Sequence, residues 1–201
     1  KLTSVKVIQN LYESFKSKTV NSSMNLQKLV NRSLHQYLSD NVIREKIETY
    51  DKFKDELSST SSLKELCSKV KIIFICLPTP MKKDGVCDLS IVEKTIYEID
   101  SYKFNNIAVI KSTVLPGTTK RLNKECNNLS IVFNPEFLTE ANYIDDFKNQ
   151  NRIIIGGPRP ASTVIKNFYK KVFYNTPIIK TGSTTAEMVK YFLNCFLASK
   201  V

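Results

Sequence analysis

Short β-branched runs alternate with stretches of helical spacing along most of this chain, and that alternation restricts its fold more than any other feature. From about residue 46 onward, KIETY (46–50), VKIIFICL (70–77), IAVIK (107–111), LSIVFN (129–134), RIIIGG (152–157) and TPIIK (176–180) have the length and residue types of strands. SSLKELCS, LSIVEKTIYEID, TTKRLNKEC and ASTVIKNFYKKVF lie between them and read as helices, each starting near Ser, Thr or Asp cap chemistry. Strands alternating with helices predict a doubly wound α/β domain whose parallel sheet is covered on both faces. In such sheets ligands bind beyond the carboxyl ends of the strands. Attention therefore falls on YDKF, CLPTPMKKDG, KSTVLPG and NPEFLTE.

Each of these segments carries more chemistry than a connection needs. Pro78 and Pro80 stiffen a strand exit, and MKKDG reads as a turn. Ser112 and Thr113 place hydroxyls at the ligand edge, and Pro116-Gly117 then turns the chain into a helix capped by Thr118 and Thr119. Asp51 ends its strand where an acidic residue of a dinucleotide fold accepts hydrogen bonds from the adenosine ribose. In NPEFLTEANYIDDF, Glu136 and Glu140 are four apart and share one face if the segment is helical. The plain reading is a helix N-terminal turn, with proline in the first position and carboxylates facing the macrodipole.

Bulk properties narrow the class. The 201 residues are 42% hydrophobic, enough for one sizeable core. No apolar run reaches the roughly 18 residues of a membrane span, and the opening KLTSVKVIQNLYESF lacks the apolar core of a signal peptide. Five widely spaced cysteines with His35 as the sole histidine suggest neither a metal site nor a disulfide framework, and reduced thiols fit a cytoplasmic setting. The net charge of +11 raises nucleic-acid binding, most of all at KNFYKKVFY (166–174). There, however, Val164, Ile165, Phe168, Val172 and Phe173 recur at helical spacing, which predicts a lysine face on a core helix and no nucleic-acid partner.

The C-terminal stretch TTAEMVKYFLNCFLASKV adds a second geometry. Ala186, Val189, Leu193, Phe196 and Leu197 form an apolar stripe, while Lys190 and Asn194 fall four apart on another face. An ammonium and an amide projecting together can stabilise a developing oxyanion. A solvent-exposed pair on a long helix is the alternative.

LPTP with DGVCDLS, then KSTVLPGTT, then NPEFLTEANYIDDF with RIIIGG, then TAEMVKYFLNCFLASKV, occur in register over roughly residues 46–201. Together they resemble the UDP-glucose/GDP-mannose dehydrogenase family, most closely its UDP-glucose 6-dehydrogenase branch. The resemblance implies a Rossmann-like NAD-binding domain followed by the start of a long central dimerisation helix, in a homodimer. It implies two NAD-dependent oxidations of a nucleotide sugar, taking UDP-glucose to UDP-glucuronate through a cysteine thiohemiacetal and thioester. By match, Glu136 would activate water and Glu140 would line the site near nicotinamide and substrate, with Phe137 and Leu138 on the substrate. Lys190 and Asn194 would hold the oxyanion and contact substrate, and Thr113 would assist at the reacting centre. Thr79, Ser112 and Thr113 would contact NAD, and Asp51 its ribose; no metal is implied.

Two departures qualify that resemblance. Glycines occur only at 85, 117, 156, 157 and 182, so the glycine-rich phosphate loop expected about 20 residues before Asp51 is replaced by LQKLVN (26–31). Residues 1–31 thus read as a divergent segment, in which Val5, Ile8, Leu11, Tyr12 and Phe15 have helical spacing, 32–181 as the NAD-binding domain and 182–201 as the start of the central helix. The family's nucleophilic cysteine follows that helix, and none of Cys67, Cys76, Cys87, Cys126 or Cys195 has a comparable setting. The expectation is an incomplete form of the enzyme, inactive alone. The alternative is a non-catalytic remnant that binds neither NAD nor sugar.

Overall fold

The computed structural model describes residues 62–139 and 142–199. The expected strand at 46–50, Asp51, LQKLVN, the residue 5–15 helix and Glu140 lie outside them. The described elements follow the predicted alternation: α1 (Leu63–Lys69), β1 (Ile72–Ile75), α2 (Ser90–Ser101), β2 (Asn106–Ile110), α3 (Thr118–Glu125), β3 (Leu129–Phe133), α4 (Tyr143–Lys148), β4 (Ile153–Gly156), α5 (Ala161–Val172), β5 (Ile178–Thr181) and α6 (Ser183–Ser199). The five strands form one sheet in sequence order.

Strand side chains alternate between two apolar layers, as a half-pitch of two requires. Ile73, Ile75, Ala108, Ile110, Ile131 and Phe133 join Leu66, Val92, Ile96, Leu122 and Ala186 on one face. Ile107, Val109, Val132, Ile153 and Ile155 join Phe147, Ile165, Tyr169 and Phe173 on the other. The sheet is therefore α/β in the predicted sense, with every residue of β2 and β4 buried. Each fully buried Ile contributes about 1.5–3 kcal/mol.

The sheet is mixed rather than wholly parallel. β1–β2, β2–β3 and β4–β5 pair in parallel, but β3 and β4 are antiparallel and meet only at Phe133 opposite Gly156. The β3–β4 connection holds only the six-residue α4. A return without a full crossover gives antiparallel strands. Because the overlap is confined to their ends, β4 projects past the carboxyl end of β3, and its Ile154 carbonyl meets the Asn134 side chain there.

Helix starts depart from the cap expectation. Ser62 does cap α1, accepting from Glu65 N at 3.3 Å. At α3, however, the cap position belongs to Gly117, left-handed at φ 98°, and Thr118 and Thr119 already lie inside the first turn. The Thr119 hydroxyl is buried without a hydrogen-bond partner, so the orphan amides are served by another group. On α5 the lysine face is present, but Val164 is exposed and Tyr169 is the buried aromatic in its place. The expected stripe on α6 is buried only at its start: Ala186 has no exposed surface, Val189 and Leu193 are half-buried, and Phe196 and Leu197 are exposed with Met188 and Phe192. No helix among the described residues is long and apolar enough to cross a membrane.

Candidate active site

Glu136 does not sit on a helix. Residues 134–139 form a non-helical exit from β3, so the helical premise for a Glu136–Glu140 face, and the helix-cap reading with it, fails for Glu136. Asn134 fixes where the exit begins. Its Oδ1 accepts from Lys111 Nζ at 2.9 Å and Tyr169 OH at 2.6 Å, and its Nδ2 donates to the Ile154 carbonyl at 2.7 Å. One buried amide therefore ties β2, β4 and α5 to the start of the loop, with both of its ends satisfied.

Two residues later, Glu136 meets α6. Lys190 Nζ donates to Glu136 Oε1 at 2.7 Å and to the Glu136 carbonyl at 2.6 Å, while Glu136 Oε2 accepts from Leu138 N at 2.8 Å. The side chains are only 8% and 14% exposed. Lys190 also lies 5.8 Å from the centre of the Phe137 ring, whose environment includes Arg152 at 5.2 Å. Such cation–ring contacts hold an aromatic without closing its outer surface.

Lys111 was not singled out by the sequence. It is 6% exposed, and burial holds its ammonium below the ordinary lysine value, opposed by Cys76 and Glu136 and reinforced by Lys190. Lys111, Glu136, Phe137, Leu138 and Arg152 line one cleft of about 330 Å³. Two buried ammoniums near one carboxylate leave positive charge at the carboxyl edge of β2 and β3. Preorganised charge of that sign stabilises an oxyanion where it forms.

The remaining predicted residues divide by place. Thr79 and Thr113 are half-buried at the exits of β1 and β2. Ser112 between them is engaged locally: Leu77 N donates to its Oγ at 2.8 Å and the hydroxyl donates to the Leu77 carbonyl at 2.7 Å. That clasp holds the two strand exits together and leaves one hydroxyl lone pair. Phe137 and Leu138 are half-buried beside Glu136, whereas Asn194, one turn beyond Lys190, is exposed. Spacing alone puts Lys190 and Asn194 on one face; the sheet covers only the first.

Glu187 is the second group that sequence reasoning passed over. It has no exposed surface, and its carboxylate accepts from Gly117 N at 2.6 Å and Thr119 N at 2.8 Å, serving the amides at the start of α3. Its place three residues before Lys190 in a helix of otherwise apolar and small inward positions was the available signal. Close approach of α6 to the sheet depends on Gly156, where a Cβ would stand 2.5 Å from Ala186 Cβ. Among the described residues, no group of three His, Cys, Asp or Glu side chains could hold a metal ion.

Comparison with known proteins identifies the family. Residues 24–175 match the UDP-glucose/GDP-mannose dehydrogenase family, NAD binding domain, a match that takes in the glycine-free 26–31 segment. UDP-glucose 6-dehydrogenase TuaD of Bacillus subtilis is 36% identical over 157 residues, covering 72% of this chain and 33% of that protein. UDP-glucose 6-dehydrogenase of Rhizobium meliloti is also 36% identical over 157 residues, covering 72% of this chain and 36% of its own length. The chain thus spans about a third of the length of these curated relatives. GDP-mannose dehydrogenase of Pseudomonas aeruginosa superposes with a TM-score of 0.63 at 29% identity, over 71% of this chain and 36% of that one. UDP-glucose dehydrogenase of Pyrobaculum islandicum does so with a TM-score of 0.61 at 31% identity, over 70% and 35%. With a mostly parallel α/β sheet and a match of residues 24–175 to the family's NAD-binding domain, the chain belongs to the UDP-glucose/GDP-mannose dehydrogenase family.

Proposed function

We propose that this chain supplies the NAD-binding half of a nucleotide-sugar dehydrogenase that oxidises the C6 alcohol of UDP-glucose to the carboxylate. The observation that carries the reading is the Lys190–Glu136 pair, 2.7 Å apart, beside the half-buried Phe137 and Leu138. The described residues fit the cofactor at the ligand edge: Thr79 and Thr113 present half-buried hydroxyls at adjacent strand exits, held in register by the Ser112 clasp. Thr79 and Thr113, with the Ser112 backbone, would hold the nicotinamide end, and Asp51 the adenosine ribose. Two NAD molecules bound in turn would each accept one hydride from the sugar carbon, which balances the four electrons lost between alcohol and carboxylate.

The chain's own residues have defined tasks in this proposal. Lys190 holds negative charge on the substrate oxygen, and Asn194 joins it when substrate covers the exposed turn of α6. Glu136, released from Lys190 as the ammonium turns to substrate, takes the proton of the water that hydrolyses the thioester on the family's nucleophilic cysteine, whose thiol leaves. Thr113 orients the reacting alcohol, and Glu140 lies by match near nicotinamide. The exposed Met188, Phe192, Phe196 and Leu197 support a homodimer joined through α6, with the Phe192 and Phe196 rings stacked 6.3 Å apart.

Calorimetric titration of the chain with NAD tests the reading, with Asp51→Ala as the control. Binding that Asp51→Ala weakens and Lys190→Met leaves intact supports it. The absence of glycine before Gly85 favours a second reading, a remnant that binds neither NAD nor sugar. A folded chain that takes up no NAD would select it.

A further inference from the structure

Three inward residues of helix α6 make close contacts with the rest of the fold. Ala186 lies against Gly156, Glu187 against the start of α3, and Lys190 against Glu136. The middle contact is unusual in its demands. Gly117 N donates to Oε2 at 2.6 Å and Thr119 N to Oε1 at 2.8 Å, so both carboxylate oxygens are used at the positive end of a helix dipole. An amide side chain could accept only one of these bonds and would turn its NH2 toward the other N–H. Aspartate would be too short by one methylene.

The segment held in this way carries Thr113. Its near end is fixed by the Ser112 clasp on Leu77, and its far end by Gly117 on Glu187. The Glu187 carboxylate is thus a direct hydrogen-bonded link between the cofactor-side exit of β2 and the helix that presents Lys190, beside the Cys87 thiol that lies 3.9 Å from the Thr113 carbonyl and meets Tyr191. We propose that Glu187 is a positioning residue: it sets Thr113 relative to Lys190 and passes displacement of the 112–119 loop to the Lys190–Glu136 pair. The inference rests on the proposed function for its catalytic meaning, but the mechanical link is testable without it.

Amide hydrogen exchange and nitrogen–proton spectra of the chain provide the test. In the unmutated protein the Gly117 and Thr119 amides exchange as slowly as the α6 backbone around Ala186–Lys190; exchange at the rate of an open loop would overturn the proposal. Glu187→Gln should raise their exchange by about 10- to 100-fold. Lys190→Met should shift the Thr113 and Gly117 resonances in the parent chain and leave them unmoved in a Glu187→Gln background. Cross-talk that survives Glu187→Gln would show that another route couples the two and would overturn the assignment. Should Glu187→Gln fail to fold, the exchange pattern of the parent chain still decides. In parallel, added NAD should move Lys190 and Glu136 signals in the parent and only the loop signals in Glu187→Gln. Absence of any NAD response would count against the proposed function, while the exchange and cross-talk results would judge Glu187 independently.

Discussion

Lys190 Nζ is shared between two acceptors on one residue, the Glu136 side chain at 2.7 Å and the Glu136 carbonyl at 2.6 Å. That double contact predicts unequal costs for breaking the pair from its two ends. Lys190→Met leaves a carboxylate that is only 14% exposed facing the apolar replacement, together with an orphaned carbonyl. A loss on the order of 3 kcal/mol is expected. Glu136→Gln keeps the carbonyl contact and an amide oxygen for the ammonium, so about 1 kcal/mol is expected. Urea unfolding of the two variants measures both; equal costs would mean that the carbonyl bond contributes nothing.

Much of this arrangement was legible in the sequence, because periodicity reports on residues that share an element. The five described strands and their helices fall where β-branched runs and helical spacing put them, and the i,i+4 relation of Lys190 and Asn194 is real along α6. What periodicity cannot report is which elements meet. Glu187 earns its burial from amides 68 and 70 residues away, and Lys111 from an amide 23 away. The antiparallel β3–β4 joint was hidden because apolar strand runs look alike in either direction. Glu136 was misplaced on a helix because Pro135 and nearby carboxylates imitate a helix start, whereas α4 begins only at Tyr143.

Burial also sorts the thiols. It pushes Cys67, Cys76 and Cys126 up to about 11, reinforced by Glu98 at Cys67 and Asp100 at Cys126 and opposed by Lys111 at Cys76. Cys195 is exposed and Cys87 half-buried. Alkylation of the native chain near neutral pH should therefore label Cys195 first and Cys87 next, with the other three protected until unfolding. Peptide mass spectrometry over a time course checks the order. Labelling of Cys76 at the pace of Cys195 would contradict its burial beneath the site.

Lys111 should leave a signature on the alkaline side. Its folded value lies below the ordinary lysine value, for which desolvation is the leading cause. Between that lowered value and about 10.4, the unfolded chain binds more protons than the folded one, so this group's contribution to stability rises with pH. Below the folded value the burial penalty is present in full, and above about 10.4 it is gone. Cys76, Glu136 and Lys190 face the ammonium in both directions of charge, and all three remain in Lys111→Met. The variant should fold stably, since Tyr169 OH still serves Asn134 Oδ1 at 2.6 Å. Subtracting its pH–stability curve from that of the parent isolates the lysine, and the difference should climb through the window. A flat difference would place Lys111 in contact with water, and a falling one would mean that Glu136 and Cys76 outweigh its burial.

Gly156 decides whether α6 can lie close enough for Lys190 to reach Glu136. An added Cβ would meet Ala186 Cβ at 2.5 Å, the Gly182 carbonyl at 2.9 Å and Ser183 Cα at 2.9 Å. Two of the three obstacles are backbone, so rotamer changes cannot relieve them. Gly156→Ala should therefore cost about 1–3 kcal/mol, as overpacking does, and should lift the start of α6 from the sheet. The lift is transmitted along a rigid helix to Lys190, one turn beyond Ala186. Hence the variant should lose most of what Lys190→Met loses, and combining the two should cost less than their sum, which non-additivity in a double-mutant cycle reads directly. Ala186→Gly removes one obstacle of three and should rescue Gly156→Ala only in part. Full additivity with Lys190→Met would show that α6 bends at Gly182 instead, leaving the Lys190–Glu136 pair untouched by what happens at the sheet.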